Sequence, residues 1–125
     1  MDHGRTLLKI NYEYRNSISM KEIAREILLG LWKVHILHHA AEKPVIGFWM
    51  MQELRRHGYD VSPGTLYPLL KRMERHGWLS SKHVQGAGLH APRGYSLTPK
   101  GRKVLKLVRK QVAELWRELN EHAEG

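Results

Sequence analysis

Cysteine is absent from the 125 residues. This excludes disulfides, thiolate metal sites and cysteine nucleophiles, and it fits a reducing compartment. Long apolar runs are missing too: the most apolar stretch, Ile27 to Leu37, is interrupted by Lys33 and His35 and is far too short to cross a bilayer. The first residues place Asp2 and Glu13 among bases and lack the apolar core of a secretion signal. There is no glycine-rich phosphate loop, no nucleophile motif and no carboxylate pair with catalytic placement; Gly86-Ala87-Gly88 is not a dinucleotide fingerprint. The expectation is a soluble, cytoplasmic protein that is neither an enzyme nor dependent on a cofactor.

Acid is scarce where base is dense. The formal net charge is +9. From Lys43 to Lys110 fourteen Lys or Arg face only three acids, Glu53, Asp60 and Glu74, whereas from Glu114 onward four Glu accompany one Arg. A basic middle with an acidic tail attracts polyanions to one part of the surface. A solvated basic face without a partner is the plainer reading of charge alone.

The chain is long enough for one domain with a modest core, which a partner subunit would reinforce. Residues 1–18 read as an arm, with Tyr12, Tyr14 and Ile18 unassigned. Ser19-Met20-Lys21-Glu22 is a capping box that opens a helix. Ile23, Ile27, Leu31 and Val34 give that helix a stripe, and it runs to about Ala41, short of Pro44. A second helix spans about Ile46 to His57, with Met50, Met51 and Leu54 inward and Gly58 as its left-handed stop. Ser62 caps a third helix, Pro63 occupies its first turn and Gly77 ends it. Pro68 falls inside this helix, but Leu66, Leu69, Leu70 and Met73 hold an apolar face across it. Trp78 to Val84 and Tyr95 to Thr98 form a hairpin around a glycine-bearing loop. Thr98 caps a last helix from Pro99 to about His122. Leu105, Val108, Val112, Leu115 and Leu119 make an a/d seam along it, widened by Val104 and Trp116.

Two short helices joined by a tight turn and followed by a hairpin imply a winged helix-turn-helix. The expected fold class is mainly α with a small β-hairpin. Residues 1–18 are the arm, 19–98 the winged-helix DNA-binding domain and 99–125 the C-terminal dimerisation helix. With its leucines inward, the third helix turns Gly64, Pro68, Lys71 and Arg75 outward. Thr65 and Arg72 lie on one flank, Tyr67 and Glu74 on the other. Lys71, Arg72 and Arg75 suit phosphates or guanines, and Ser62, Thr65 and Tyr67 add hydroxyls near a helix start. The bare helix also reads as an ordinary amphipathic helix with a solvated face. In the hairpin, Lys82 and Arg93 are the candidate contacts, and an arginine there suits a narrow minor groove. His83 and His90 read better as surface loop.

The stretch from Gly47 to Gly101 closely resembles the PadR family of transcriptional regulators. The resemblance is carried by Gly58-Tyr59, Ser62-Pro63-Gly64-Thr65-Leu66-Tyr67-Pro68-Leu69-Leu70, Arg72-Met73-Glu74, Gly77, Tyr95, Leu97-Thr98 and Gly101. It covers slightly under half of the chain. It implies a winged-helix homodimer, usually a repressor that releases DNA on binding an effector. The third helix would read double-stranded DNA at an inverted repeat, the wing would touch backbone or minor groove, and the last helix would dimerise. The resemblance also accommodates Pro68, and the single helix after the wing matches smaller members. The wing departs from the pattern: Leu89-His90-Ala91-Pro92-Arg93-Gly94 stands where many members carry a compact basic run. Aromatic effectors in such dimers bind between the long helices, which makes Trp116 and Trp32 candidate pocket walls; dimer core is the plainer role for them. His35, His38 and His39 share a helix face at metal-binding spacing, without a fourth ligand nearby in sequence. The alternatives are a metal-responsive sensor and a winged-helix module that binds proteins.

Overall fold

The computed structural model describes residues 19–84 and 92–121. Expectations for residues 1–18, for His90 and for His122 lie outside these. Helix α1 runs through Met20–Ile23, a π-helical turn Ala24–Leu28, and Leu29–Glu42. Strand β1 (Val45–Ile46), α2 (Gly47–Arg56), α3 (Pro63–Arg75), β2 (Leu79–His83), β3 (Arg93–Leu97) and α4 (Pro99–Glu121) follow. Among the described residues no helix is long and apolar enough to cross a membrane.

Local chemistry explains most boundaries. The Ser19 hydroxyl accepts the Glu22 amide at 3.3 Å, as a capping serine should. Gly58 and Gly77 adopt φ of 91° and 79°, the left-handed conformation that ends α2 and α3 where a side chain would be strained. Thr98 caps α4: its hydroxyl accepts the Gly101 amide at 2.9 Å and reaches the carbonyls of Gly77 and Trp78 across the turn before β2.

The core gathers under α3. Leu66, Leu69, Leu70 and Met73 are all at most 2 % exposed, packed with Met50, Met51 and Leu54 of α2 and Trp32, Ile36, Leu37 and Ala40 of α1. Helix α3 continues through Pro68 as expected. The proline has no N–H for the Gly64 carbonyl, but both residues lie on the exposed side of the helix, so the loss leaves no buried acceptor unpaired.

The expected hairpin forms from β2 and β3, and β1 adds a third antiparallel strand in the order β1-β3-β2, with Val45 opposite Tyr95. Three expectations need correcting. The stripe chosen for α1 is not its inward face, since Ile27 and Leu31 are 63 % and 41 % exposed while Trp32, Ile36 and Leu37 are buried. Leu105 is 5 % exposed within the core of its own protomer, so it is not free to join a seam between subunits. Ser62 makes no side-chain cap to the α3 backbone; its hydroxyl lies 3.3 Å from that of Thr65.

Helix α4 docks through a close approach at Gly101. A Cβ there would collide with the Trp78 carbonyl and the Leu97 side chain. Helix propensity alone favours alanine over glycine. The collision overrides it, and Gly101→Ala should lower unfolding free energy by about 1–3 kcal/mol in denaturant titration. A stabilised variant would contradict this docking.

Where α1 meets α2, the rings of His35 and His57 lie 5.0 Å apart and His35 sits edge-on to Tyr59 at 5.7 Å. Burial first, then the neighbouring His57, His39 and His38, push the His35 pKa down from 6.5 to about 4, against a weaker opposing pull from Glu53. His39 is lowered as well, chiefly by burial. Between the two His35 values the unfolded chain holds a proton that the folded chain refuses, so stability falls as pH drops through this window. The melting temperature should fall from pH 7.5 to pH 4.5 by roughly 5 °C or more. His35→Phe should flatten part of that slope, and an unchanged slope would remove His35 from the account.

Candidate nucleic-acid interface

Helix α3 is set by its buried leucine face, and that fixes what its opposite face presents. Ser62, Gly64, Thr65, Tyr67, Lys71, Arg72 and Arg75 are all exposed, as are Lys82 and Arg93 in the wing. Among the described residues Lys71, Arg72, Arg75 and Lys82 make no ion pair, so their charges are available to a partner. The basic residues of α2 differ. Arg56 grips Glu53 at 2.5 Å, and that hydrogen bond is the main reason the Glu53 carboxyl sits below the usual range. Arg55 donates to the Val61 carbonyl at 3.1 Å and so ties the end of α2 to the turn before α3.

Gly64 is informative. A Cβ there would meet nothing nearer than the Ser62 hydroxyl at 3.9 Å. The protomer's own packing therefore does not require glycine at this outward position, and a bare backbone suits close approach of another surface. Tyr67 has a different setting: its ring covers Gly47, where a Cβ would collide with it, which anchors the first turn of α2 to α3. Its 42 % exposure leaves part of the ring outward.

The wing is bolted to α3 through a residue that sequence reasoning placed only on the helix flank. The Glu74 carboxylate accepts both the amide of Ser81, at 3.1 Å, and its hydroxyl, at 2.6 Å. Arg93 donates to the same Ser81 oxygen at 3.1 Å across the β2–β3 pair. An acid in a stretch almost devoid of acids was the available signal. It marks a structural acceptor, here holding the wing strands in fixed relation to the basic face.

The five proposed seam residues divide. Leu105 is inside, Val108 is half-buried, and Val112, Leu115 and Leu119 are 43 %, 54 % and 58 % exposed. Trp116, at 68 % exposure, extends the stripe. Trp32 is 2 % exposed and lines a cavity of about 510 Å³ between α1 and the α2–α3 connection; Trp116 does not line it. Among the described residues no three His, Asp or Glu are placed to hold a metal ion. His38 instead faces Glu42 at 3.5 Å, and His39 lies 3.9 Å from Glu53.

The transcriptional regulator PadR-like family model matches residues 36–107, from the middle of α1 into α4. The chain is 50 % identical over 95 residues to the transcriptional regulator Rv3488 of Mycobacterium tuberculosis, spanning 76 % of this chain and 88 % of that protein. Among solved structures it resembles a PadR-like transcription factor of Bacteroides fragilis, with a TM-score of 0.67 and 26 % identity over 80 % of this chain and 97 % of that one. It also resembles a Streptococcus mutans protein, with a TM-score of 0.69 and 26 % identity over 76 % of this chain and 88 % of that one.

The Glu74 clamp makes a specific prediction. Glu74→Ala should raise amide exchange at Ser81 by about 1–2 kcal/mol of lost protection and weaken duplex DNA binding. Glu74→Gln keeps an acceptor oxygen and should keep most of both. Unchanged exchange at Ser81 in the alanine variant would show that the clamp does not hold the wing.

Proposed function

Since the chain belongs to the transcriptional regulator PadR-like family, whose members bind DNA and are not enzymes, we propose that it is a homodimeric, sequence-specific repressor whose hold on DNA is relieved by a small molecule. The observation that carries this reading is the α3 face: three unpaired cations and a bare glycine opposite four buried apolar side chains. Thr65 and Tyr67 flank that face near the helix start, where exposed side chains of a recognition helix reach base edges. Lys71 and Arg72 carry most of the affinity, Arg75 adds to it, and Lys82 and Arg93 extend the contact to the neighbouring groove or backbone.

Dimerisation uses the apolar stripe of α4 beyond Leu105. Val112, Leu115, Trp116 and Leu119 are exposed in the protomer, and a stripe of large apolar side chains at helical spacing is stable in water only when covered. Ile27 and Leu31 of α1 are exposed as well, and α1 and α4 meet where Arg109 approaches His38 at 3.5 Å. A two-fold dimer calls for an inverted repeat with half-sites about one helical turn apart. The histidines of α1 face carboxylates and rings of their own protomer, which favours this reading over a metal-responsive sensor.

Selection of binding sites from random duplex DNA should enrich an inverted repeat bound at least ~10³-fold better than random duplex. Enrichment of nothing, with affinity that collapses as salt rises, would support the protein-interaction module instead. Leu115→Asp should convert the dimer to monomer in sedimentation and weaken operator binding by about 100-fold. A variant that sediments as a dimer would displace the seam.

A further inference from the structure

The cavity of about 510 Å³ lies within one protomer, away from the α4 stripe. Its walls are Ala24, Leu28 and Leu29 of α1 together with the rings of Trp32 and Tyr59, which meet edge to face at 5.8 Å. Lys21 and Arg25 supply positive charge along its α1 side, and Asp60 supplies one negative charge from the α2–α3 connection. Arg25 is weakly engaged, 3.9 Å from Glu26 with both side chains about 70 % exposed. The volume falls within the range of small-molecule sites, and walls that are mostly apolar with a few polar groups are the usual composition of such sites.

Two further features single this cavity out. The π-helical turn Ala24–Leu28 forms part of its wall, and a widened turn inside a helix is a departure from regular geometry that tends to mark functional positions. The Trp32 indole nitrogen is buried and has no hydrogen-bond partner, the one such side-chain atom among the described residues. A buried donor left without an acceptor calls for an explanation, and a ligand acceptor is one.

We propose that this cavity binds a small apolar anion, its apolar body against Leu28, Leu29 and Tyr59, its charge near Lys21 and Arg25, and an acceptor atom completing the hydrogen bonding of Trp32. The cavity also includes Ser62 and Thr65, the capping position and first turn of α3. A ligand there pushes directly on the start of the helix that presents Lys71 and Arg72. The coupling to DNA rests on the repressor reading above; the binding site itself does not.

Titration of the full-length protein with anilinonaphthalene sulfonate, an apolar anion, tests the site. The readout is the indole N–H signals of the four tryptophans in nitrogen-labelled protein, with Trp32 assigned by Trp32→Phe. The Trp32 signal should shift saturably and more than those of Trp49, Trp78 and Trp116. Replacing both cations, Lys21→Glu with Arg25→Glu, should weaken that binding by about tenfold. A shift confined to Trp116, or a Trp32 response untouched by the charge reversals, would overturn the site. Adding the anion to the operator complex then addresses relief separately: binding at Trp32 without DNA release leaves the site standing and removes the small-molecule relief from the proposed function.

Discussion

The burial of one face of α3 is the constraint from which the rest of the structure follows. Leu66, Leu69, Leu70 and Met73 close over Met50, Met51 and Leu54, and almost no water reaches them. Each such side chain contributes roughly 1.5–3 kcal/mol by leaving water. The helix is therefore fixed in rotation as well as in position. Gly64, Lys71 and Arg75 point outward because the leucines cannot. The turn before it is held by the Arg55 bond to the Val61 carbonyl, and the wing after it by Glu74 on Ser81. A basic face is common on surface helices; one locked in rotation between a tied turn and a clamped wing can reach a groove in a single register.

Much of this was legible in local chemistry. Proline at the start of α3 and α4, glycine at the end of α2 and α3, and the serine before α1 are short-range signals, and the structure places the helix ends within a residue or two of them. The leucine face of α3 was legible through Pro68 because four side chains at helical spacing outweigh one lost backbone bond. What was missed depends on contacts distant in sequence. Strand β1 has only Val45 and Ile46, and it exists because Tyr95 and Gly94 of β3 offer an edge to pair with. Helix α1 is apolar on two sides, so periodicity alone does not tell which stripe, Ile27–Leu31 or Trp32–Ile36, faces the core. The packing decides it, leaving Ile27 and Leu31 exposed. Leu105 shares a heptad register with Leu115, yet the sheet and α1 reach only far enough along α4 to bury the first.

Charge follows the same division of labour. Two of the three acids of the basic middle are placed where they neutralise or clamp: Glu53 holds Arg56 and faces His39 and His57, and Glu74 holds the wing. The cations of α3 are left without such partners. The fold thus separates bases that stabilise the protomer from bases free to meet an external polyanion. The cavity is lined by Ser62 and Thr65, which also lie exposed at the start of α3.

The central claim is that the outward face of α3 reads base edges in the major groove of two symmetric half-sites. Methylation interference at guanine N7 on the selected operator tests it most directly, because the added methyl group sits on that groove's floor. Two patches of interference about one helical turn apart are expected, with Lys71→Ala or Arg72→Ala removing the effect at specific guanines. Interference that is absent, or that is unchanged by either substitution, would contradict the account.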